Sequence, residues 1–219
     1  MVAAARQPPP KILLTGFEPF DGSAVNPSLQ AAQALRGRRI AGHQVVAAAL
    51  PTVFGASLTA LLALLEQHHP VLVLATGQAG GRPAICMERV AINVDDARIP
   101  DNAGAQPVDQ PVVPGGPAAY FSTLPIKAMR AAVQAQGIPA EVSQTAGTFV
   151  CNHVFYGLMH LLAQPRWRGV RGGFVHVPWL PGQGDPSLPL EAIVTGLRAA
   201  LAAALTHAQD IHEAAGALD

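Results

Sequence analysis

Along the chain, short continuous apolar runs alternate with longer segments whose apolar residues recur every three or four positions. The runs at residues 11–15, 44–50 and 71–75 read as strands. The segments at 27–35 and 57–67 read as helices, the second showing Leu58, Leu61, Leu62 and Leu65 on one face. Val71, Leu72, Val73 and Leu74 leave no polar face, which suits a strand covered on both sides. Asn26 before Pro27 is a helix start, an N-cap residue ahead of the imino acid favoured in the first turn, and Gly37 closes that helix. Strand and helix in alternation predict βαβ units.

Further on, residues 84–98 alternate weakly in a β-like way, and residues 100–116, rich in Pro, Gly, Asn and Asp, read as a long ordered loop. A helix over 125–136, a strand over 141–144, a helix opening at Cys151 and running to 162, a strand over 173–177 and a final helix over 189–207 follow. Leu190, Ile193, Val194, Leu197 and Leu201 give the last helix its apolar face.

The 219 residues suit one domain over 11–219, preceded by a loose tail over 1–10 that lacks the apolar centre of a secretory signal. Half the residues are hydrophobic and 13% are charged, against roughly 25% in an average soluble domain. Apolar contacts between subunits would account for that deficit. The formal net charge is zero and no basic run occurs, which argues against nucleic acid and anionic membrane partners. No apolar stretch reaches the ~20 residues that span a bilayer, so a soluble protein is expected. Two cysteines, Cys86 and Cys151, argue against a disulfide framework and fit a reducing cytoplasm.

Cys151 follows Thr145-Ala146-Gly147-Thr148-Phe149-Val150 and opens a helix, where unpaired backbone N–H groups and the positive helix end favour a thiolate and can bind an oxyanion. Taken alone, it reads equally well as a small buried hydrophobe. Cys86, between Ile85 and Met87, reads as structural. His176 ends an apolar strand before Pro178, the end at which open α/β folds place their sites, yet a satisfied core histidine has the same appearance. His43, His68, His69, His207 and His212 read as surface residues. His153 and His160 lie seven apart on one helix, which is not the spacing of a helical zinc pair, and no metal is expected. Glu88 and Arg89 interrupt an apolar stretch, so each needs a partner, and they can be each other's. Arg98 and Asp101 offer a second charge pair. Gly77-Gln78-Ala79-Gly80-Gly81 follows a buried strand but lacks the spacing of a phosphate loop.

Six segments, in order along the chain, resemble the pyroglutamyl peptidase I (pyrrolidone carboxyl peptidase) family of cysteine peptidases. They are Thr15-Gly16-Phe17-Glu18-Pro19-Phe20, residues 77–82, Glu88-Arg89-Val90-Ala91-Ile92-Asn93, residues 96–102, residues 145–153 and Phe174-Val175-His176-Val177-Pro178. The resemblance implies a triad of Cys151 as nucleophile, His176 as base and Glu88 orienting the histidine. It implies an oxyanion site at Arg98 and the Cys151 backbone N–H. It also implies a lactam pocket in which Phe17 and Phe20 hold the ring and Gln78 hydrogen-bonds it, with Thr52, Ile99, Phe149 and Val150 as lining. The implied fold is a three-layer α/β/α sandwich around a twisted, mostly parallel sheet. The implied assembly is a tetramer or dimer, the implied partners are peptides with N-terminal pyroglutamate, and no cofactor is implied. Family members usually carry glycine where this chain has Asp21, which puts the loop bearing Phe20 in question. A nucleotide binder using the glycine loop, and an inactive binder of pyroglutamyl N termini, are the rival readings.

Overall fold

The computed structural model describes residues 8–216; most of the expected tail, residues 1–7, lies outside them. In chain order the elements are β1 (Lys11–Phe17), α1 (Pro27–Ala34), β2 (Arg39–Ile40), β3 (His43–Leu50), α2 (Ala56–His68), β4 (Leu72–Gln78), β5 (Ile85–Glu88), β6 (Val90–Ile92), β7 (Ala119–Phe121), α3 (Ile126–Gln134), β8 (Ala140–Ser143), α4 (Val150–Leu162), β9 (Arg171–Val177) and α5 (Leu190–Thr206). Seven strands form the main sheet in the order β2-β3-β1-β4-β9-β5-β8, and β6 and β7 make a separate ribbon. The β3, β1, β4 and β9 strands run parallel, as do β5 and β8, while β5 meets β9 antiparallel.

Alternation along the strands sorts the core into two layers. Ile12, Leu14, Leu72, Leu74, Met87 and Val175 face α1, α3 and α5. Leu13, Phe17, Val73, Ala75 and Phe174 face α2 and α4. This is the three-layer α/β/α arrangement that the family resemblance implies, around a mostly parallel sheet. Among the described residues no helix is long and apolar enough to cross a membrane.

The helix start at Asn26 forms as expected: its Oδ1 accepts from the Ser28 backbone N–H at 3.1 Å and from the Ser28 hydroxyl at 2.8 Å. Other details differ. Val71 is 40% exposed and precedes β4, which begins at Leu72 and runs on to Gln78. The weak alternation over 84–98 is divided: β5 belongs to the main sheet, while β6 leaves it to pair with β7. The loop over 100–116 is indeed ordered. Asp101 holds its start by accepting the backbone N–H groups of Phe54, Ala103 and Ala105, and Asp95 bridges to Gln110. Asp101 thus binds backbone rather than Arg98, and the expected pair between them does not form.

Candidate active site

The register of three adjacent strands builds the site. In the parallel ladder Gly77 of β4 stands opposite His176 of β9, and in the antiparallel ladder Cys86 of β5 stands opposite it on the other side. Cross-strand partners share a face, so Glu88, two residues beyond Cys86, lies diagonally beside His176 within side-chain reach. His176 Nδ1 is 2.7 Å from Glu88 Oε1, and both side chains are buried. The second ring nitrogen is left for Cys151. Burial pushes the imidazole's pKa down; the charge and hydrogen bond of Cys151, then the hydrogen bond and charge of Glu88, outweigh it and raise it to about 9.

Cys151 lies in the first turn of α4, whose N-cap, Phe149, offers no side-chain acceptor to the free backbone N–H groups. Glycine at position 77 is what lets the sulfur reach the histidine: a Cβ there would stand 2.7 Å from Cys151 Sγ and 2.9 Å from the Phe174 ring. Thiol, imidazole and buried carboxylate therefore converge on the face covered by α4, a set able to make sulfur a nucleophile and carry its proton. Cys86 shares that face and is buried. Its burial and its hydrogen bond to Glu141, 3.2 Å away, push the thiol up to about 12.

Next to this group opens a cavity of about 310 Å³ lined by Phe20, Asp21, Ser23, Gln78, Gly80, Arg98, Ile99, Trp179 and Gln183. Four of the residues implied by resemblance, Phe20, Gln78, Arg98 and Ile99, thus meet in one place. Gln78 Oε1 is buried there without a hydrogen-bond partner among the described residues. Phe149 stands beside Phe20, ring centroids 6.1 Å apart, and against Phe54 at 5.4 Å. Three others lie deeper. Phe17 is 2% exposed, its ring 6.4 Å from that of Phe174. Thr52 is buried and donates to the Glu18 carbonyl at 2.9 Å, and Val150 is fully buried. Asp21 has φ 53° and Gly22 φ 72°, with the Ser23 N–H donating to the Phe20 carbonyl at 3.0 Å. Asp tolerates that left-handed conformation, so the turn survives the departure from glycine.

Several participants escaped the sequence reading. Glu88 pairs with Arg82, whose Nη1 is 2.7 Å from Oε1, while Arg89 turns away to Gln144 Oε1 and the Ala215 carbonyl. His153 is buried with its Nδ1 2.8 Å from Asp95 Oδ2, and its Nε2 accepts the Gly55 N–H at 2.9 Å. The buried Asp95 was the available signal for that pair. In the glycine loop Gly80 packs so closely against Trp179 that a Cβ there would stand 2.2 Å from its ring. Among the described residues no group of three His, Cys, Asp or Glu could hold a metal ion.

A family model described as pyroglutamyl peptidase matches residues 10–207. The pyrrolidone-carboxylate peptidase of Cupriavidus taiwanensis is 58% identical over 214 residues, covering 95% of this chain and 99% of the relative. That of Streptomyces coelicolor is 60% identical over 198 residues, 89% of this chain and 91% of the relative. Among solved structures, pyroglutamyl peptidase I from Bacillus amyloliquefaciens superposes with a TM-score of 0.90 at 47% identity, covering 92% of this chain and all (100%) of that one. A mutant pyrrolidone carboxyl peptidase from the hyperthermophile Pyrococcus furiosus gives 0.85 at 42% identity, covering 89% and 98%.

Proposed function

This chain belongs to the pyroglutamyl peptidase family of cysteine peptidases, and on that premise we propose that it cleaves the amide bond after an N-terminal pyroglutamyl residue through a thioacyl enzyme. The observation that carries the mechanism is the buried Glu88–His176 contact of 2.7 Å, with the charge and hydrogen bond of Cys151 acting on the same imidazole. The Cys151 thiolate attacks the carbonyl joining the lactam ring to the next residue. The oxyanion that forms lies near the free N–H groups of the first turn of α4 and is stabilised by the Cys151 N–H and Arg98. The tetrahedral intermediate collapses, the C–N bond breaks, and His176 gives its proton to the departing amine. Water, deprotonated by His176, then attacks the thioester and releases pyroglutamate and the thiol. Glu88 keeps Nδ1 protonated throughout and stabilises the imidazolium.

Pyroglutamate carries no ammonium, because its nitrogen is closed into a neutral lactam. Its recognition therefore calls for apolar walls and a few hydrogen-bonding groups. Phe20, Ile99 and Phe149 supply walls, and the unpartnered Gln78 Oε1 is an acceptor suited to the ring N–H. Phe17, Thr52 and Val150 support this pocket from beneath. The reading extends to a homo-oligomer, tetramer or dimer, working in a reducing cytoplasm; the 13% charged content and the two free cysteines support it.

The test is hydrolysis of matched pyroglutamyl and prolyl amides. Proline lacks the ring oxygen and carries a charged nitrogen, so the pyroglutamyl amide is expected to be preferred by ~10⁴-fold or more in kcat/KM, about the discrimination a hydrogen-bonding pocket supplies. Equal turnover of both, or of neither, would overturn the proposal.

A further inference from the structure

Beyond the triad, Glu88 has a second neighbour as close as the histidine. Arg82 Nη1 and His176 Nδ1 each approach the same carboxylate oxygen, Oε1, to 2.7 Å, from opposite chain segments. Glu88 is fully buried, and its other oxygen, Oε2, has no partner among the described residues. A buried carboxylate without a counter-charge is strongly disfavoured and takes up a proton instead. A Glu88 left without that counter-charge would be a poorer partner for an imidazolium facing Cys151.

The same guanidinium makes two more contacts. Nη1 donates to Ser143 Oγ at 3.2 Å and Nη2 to the Thr145 carbonyl at 3.0 Å. Ser143 ends β8, and Thr145 begins the segment that leads into Cys151 at the start of α4. Arg82 therefore joins the carboxylate to the chain that delivers the nucleophile. Its own placement comes from the glycine loop: Gly80 packs against Trp179, and Gly81, at φ 83°, turns the chain back toward β5.

We propose that Arg82 is a positioning residue for this site: it supplies the counter-charge of Glu88, fixes Oε1 against His176, and anchors the segment entering Cys151. The guanidinium touches no reacting atom and acts through Glu88. The charged and titratable groups around it are Glu88 and Cys86 on β5, His176 on β9, Glu141 on β8 and Cys151 on α4; Arg89 points away to Gln144. Cys86 is capped by Glu141 and raised to about 12, and Arg82, which lowers it, touches it as well.

The inference rests on the Cys151–His176–Glu88 reading, so its test needs no substrate. The rate of Cys151 alkylation by iodoacetamide is followed by mass mapping from pH 5 to 10 in the unaltered chain, Arg82→Met and Arg82→Lys, with far-UV circular dichroism on each. In Arg82→Met the profile should move to higher pH by about one unit, so that on its acidic limb the rate at a given pH falls about tenfold, the factor one pH unit gives. Arg82→Lys, which keeps the cation, should recover most of that rate. Should Arg82→Met fail to fold, Arg82→Gln, which keeps the hydrogen-bonding amide without the charge, carries the same expectation. An unmoved profile in the uncharged variant, or an equal displacement in Arg82→Lys, would overturn the role. Failure of the unaltered chain to cleave a pyroglutamyl amide would instead count against the proposed function, and the alkylation result would still decide the role of Arg82.

Discussion

His176 is the residue on which the local electrostatics turn. Burial favours its neutral form, whereas the charge and hydrogen bond of Cys151, and then those of Glu88, favour the imidazolium and together win, raising its pKa to about 9. A group raised on folding stabilises the folded state fully below its ordinary value near 6.5, and that stabilisation is lost as pH rises through about 9. The same proton is needed by the leaving amine. We therefore expect kcat/KM for a pyroglutamyl amide to fall on the alkaline side around pH 9, and Glu88→Gln, by removing one anion, to move that limb to lower pH. A pH–rate profile of both proteins checks this; a limb that Glu88→Gln leaves in place would show that the carboxylate does not act through the ring. Glu88 was visible in the sequence as a charge inside an apolar stretch, and Cys151 and His176 as reactive types at element ends. Each was ambiguous alone, because nothing local reports that an antiparallel β5–β9 pairing sets Glu88 beside a histidine 88 residues away. Arg82 gave no signal, being a loop arginine whose partner is decided by the turn at Gly81.

Elements were legible where their cause is local. The Asn26 cap needs only Asn26 and Ser28, and it carries more than the start of α1, since Ser28 Oγ accepts the Phe17 N–H at 3.1 Å and Asn26 Nδ2 donates to the Glu18 carbonyl at 3.3 Å. These two side chains thus tie the end of β1 and the loop bearing Phe20 to the helix that follows. Asn26→Ala should lower unfolding free energy by about 1–2 kcal/mol, the upper part of the range for a lost cap because buried partners are orphaned too. Urea unfolding with an unchanged m-value would measure it, and no shift in the midpoint would show the cap to be idle. The β6–β7 ribbon was not legible. Each strand has three residues, too short for a period, and the pairing joins Ile92 to Ala119 across a long loop. Its role is to seat α4: Asn152 bonds the Ile92 backbone N–H at 3.0 Å and carbonyl at 2.9 Å.

At the scale of the molecule, the alternating pattern of strands and helices foretold βαβ units, and the unbroken apolar run at residues 71–74 a strand covered on both faces, while the three layers followed from the family resemblance. What the pattern could not foretell is the reversal at β5, which ends the parallel run β3-β1-β4-β9 and brings a strand end bearing a carboxylate to the strand end bearing the imidazole. The helix that covers this face begins with the thiol, and the cavity opens beside it. The arrangement has a direct test, in which kcat/KM for a pyroglutamyl amide is measured for the unaltered chain and for Cys151→Ala with folding confirmed by circular dichroism. The account predicts a loss of at least ~1000-fold, as removal of a nucleophile gives; activity retained within about tenfold, only ~1.4 kcal/mol of barrier, would contradict it.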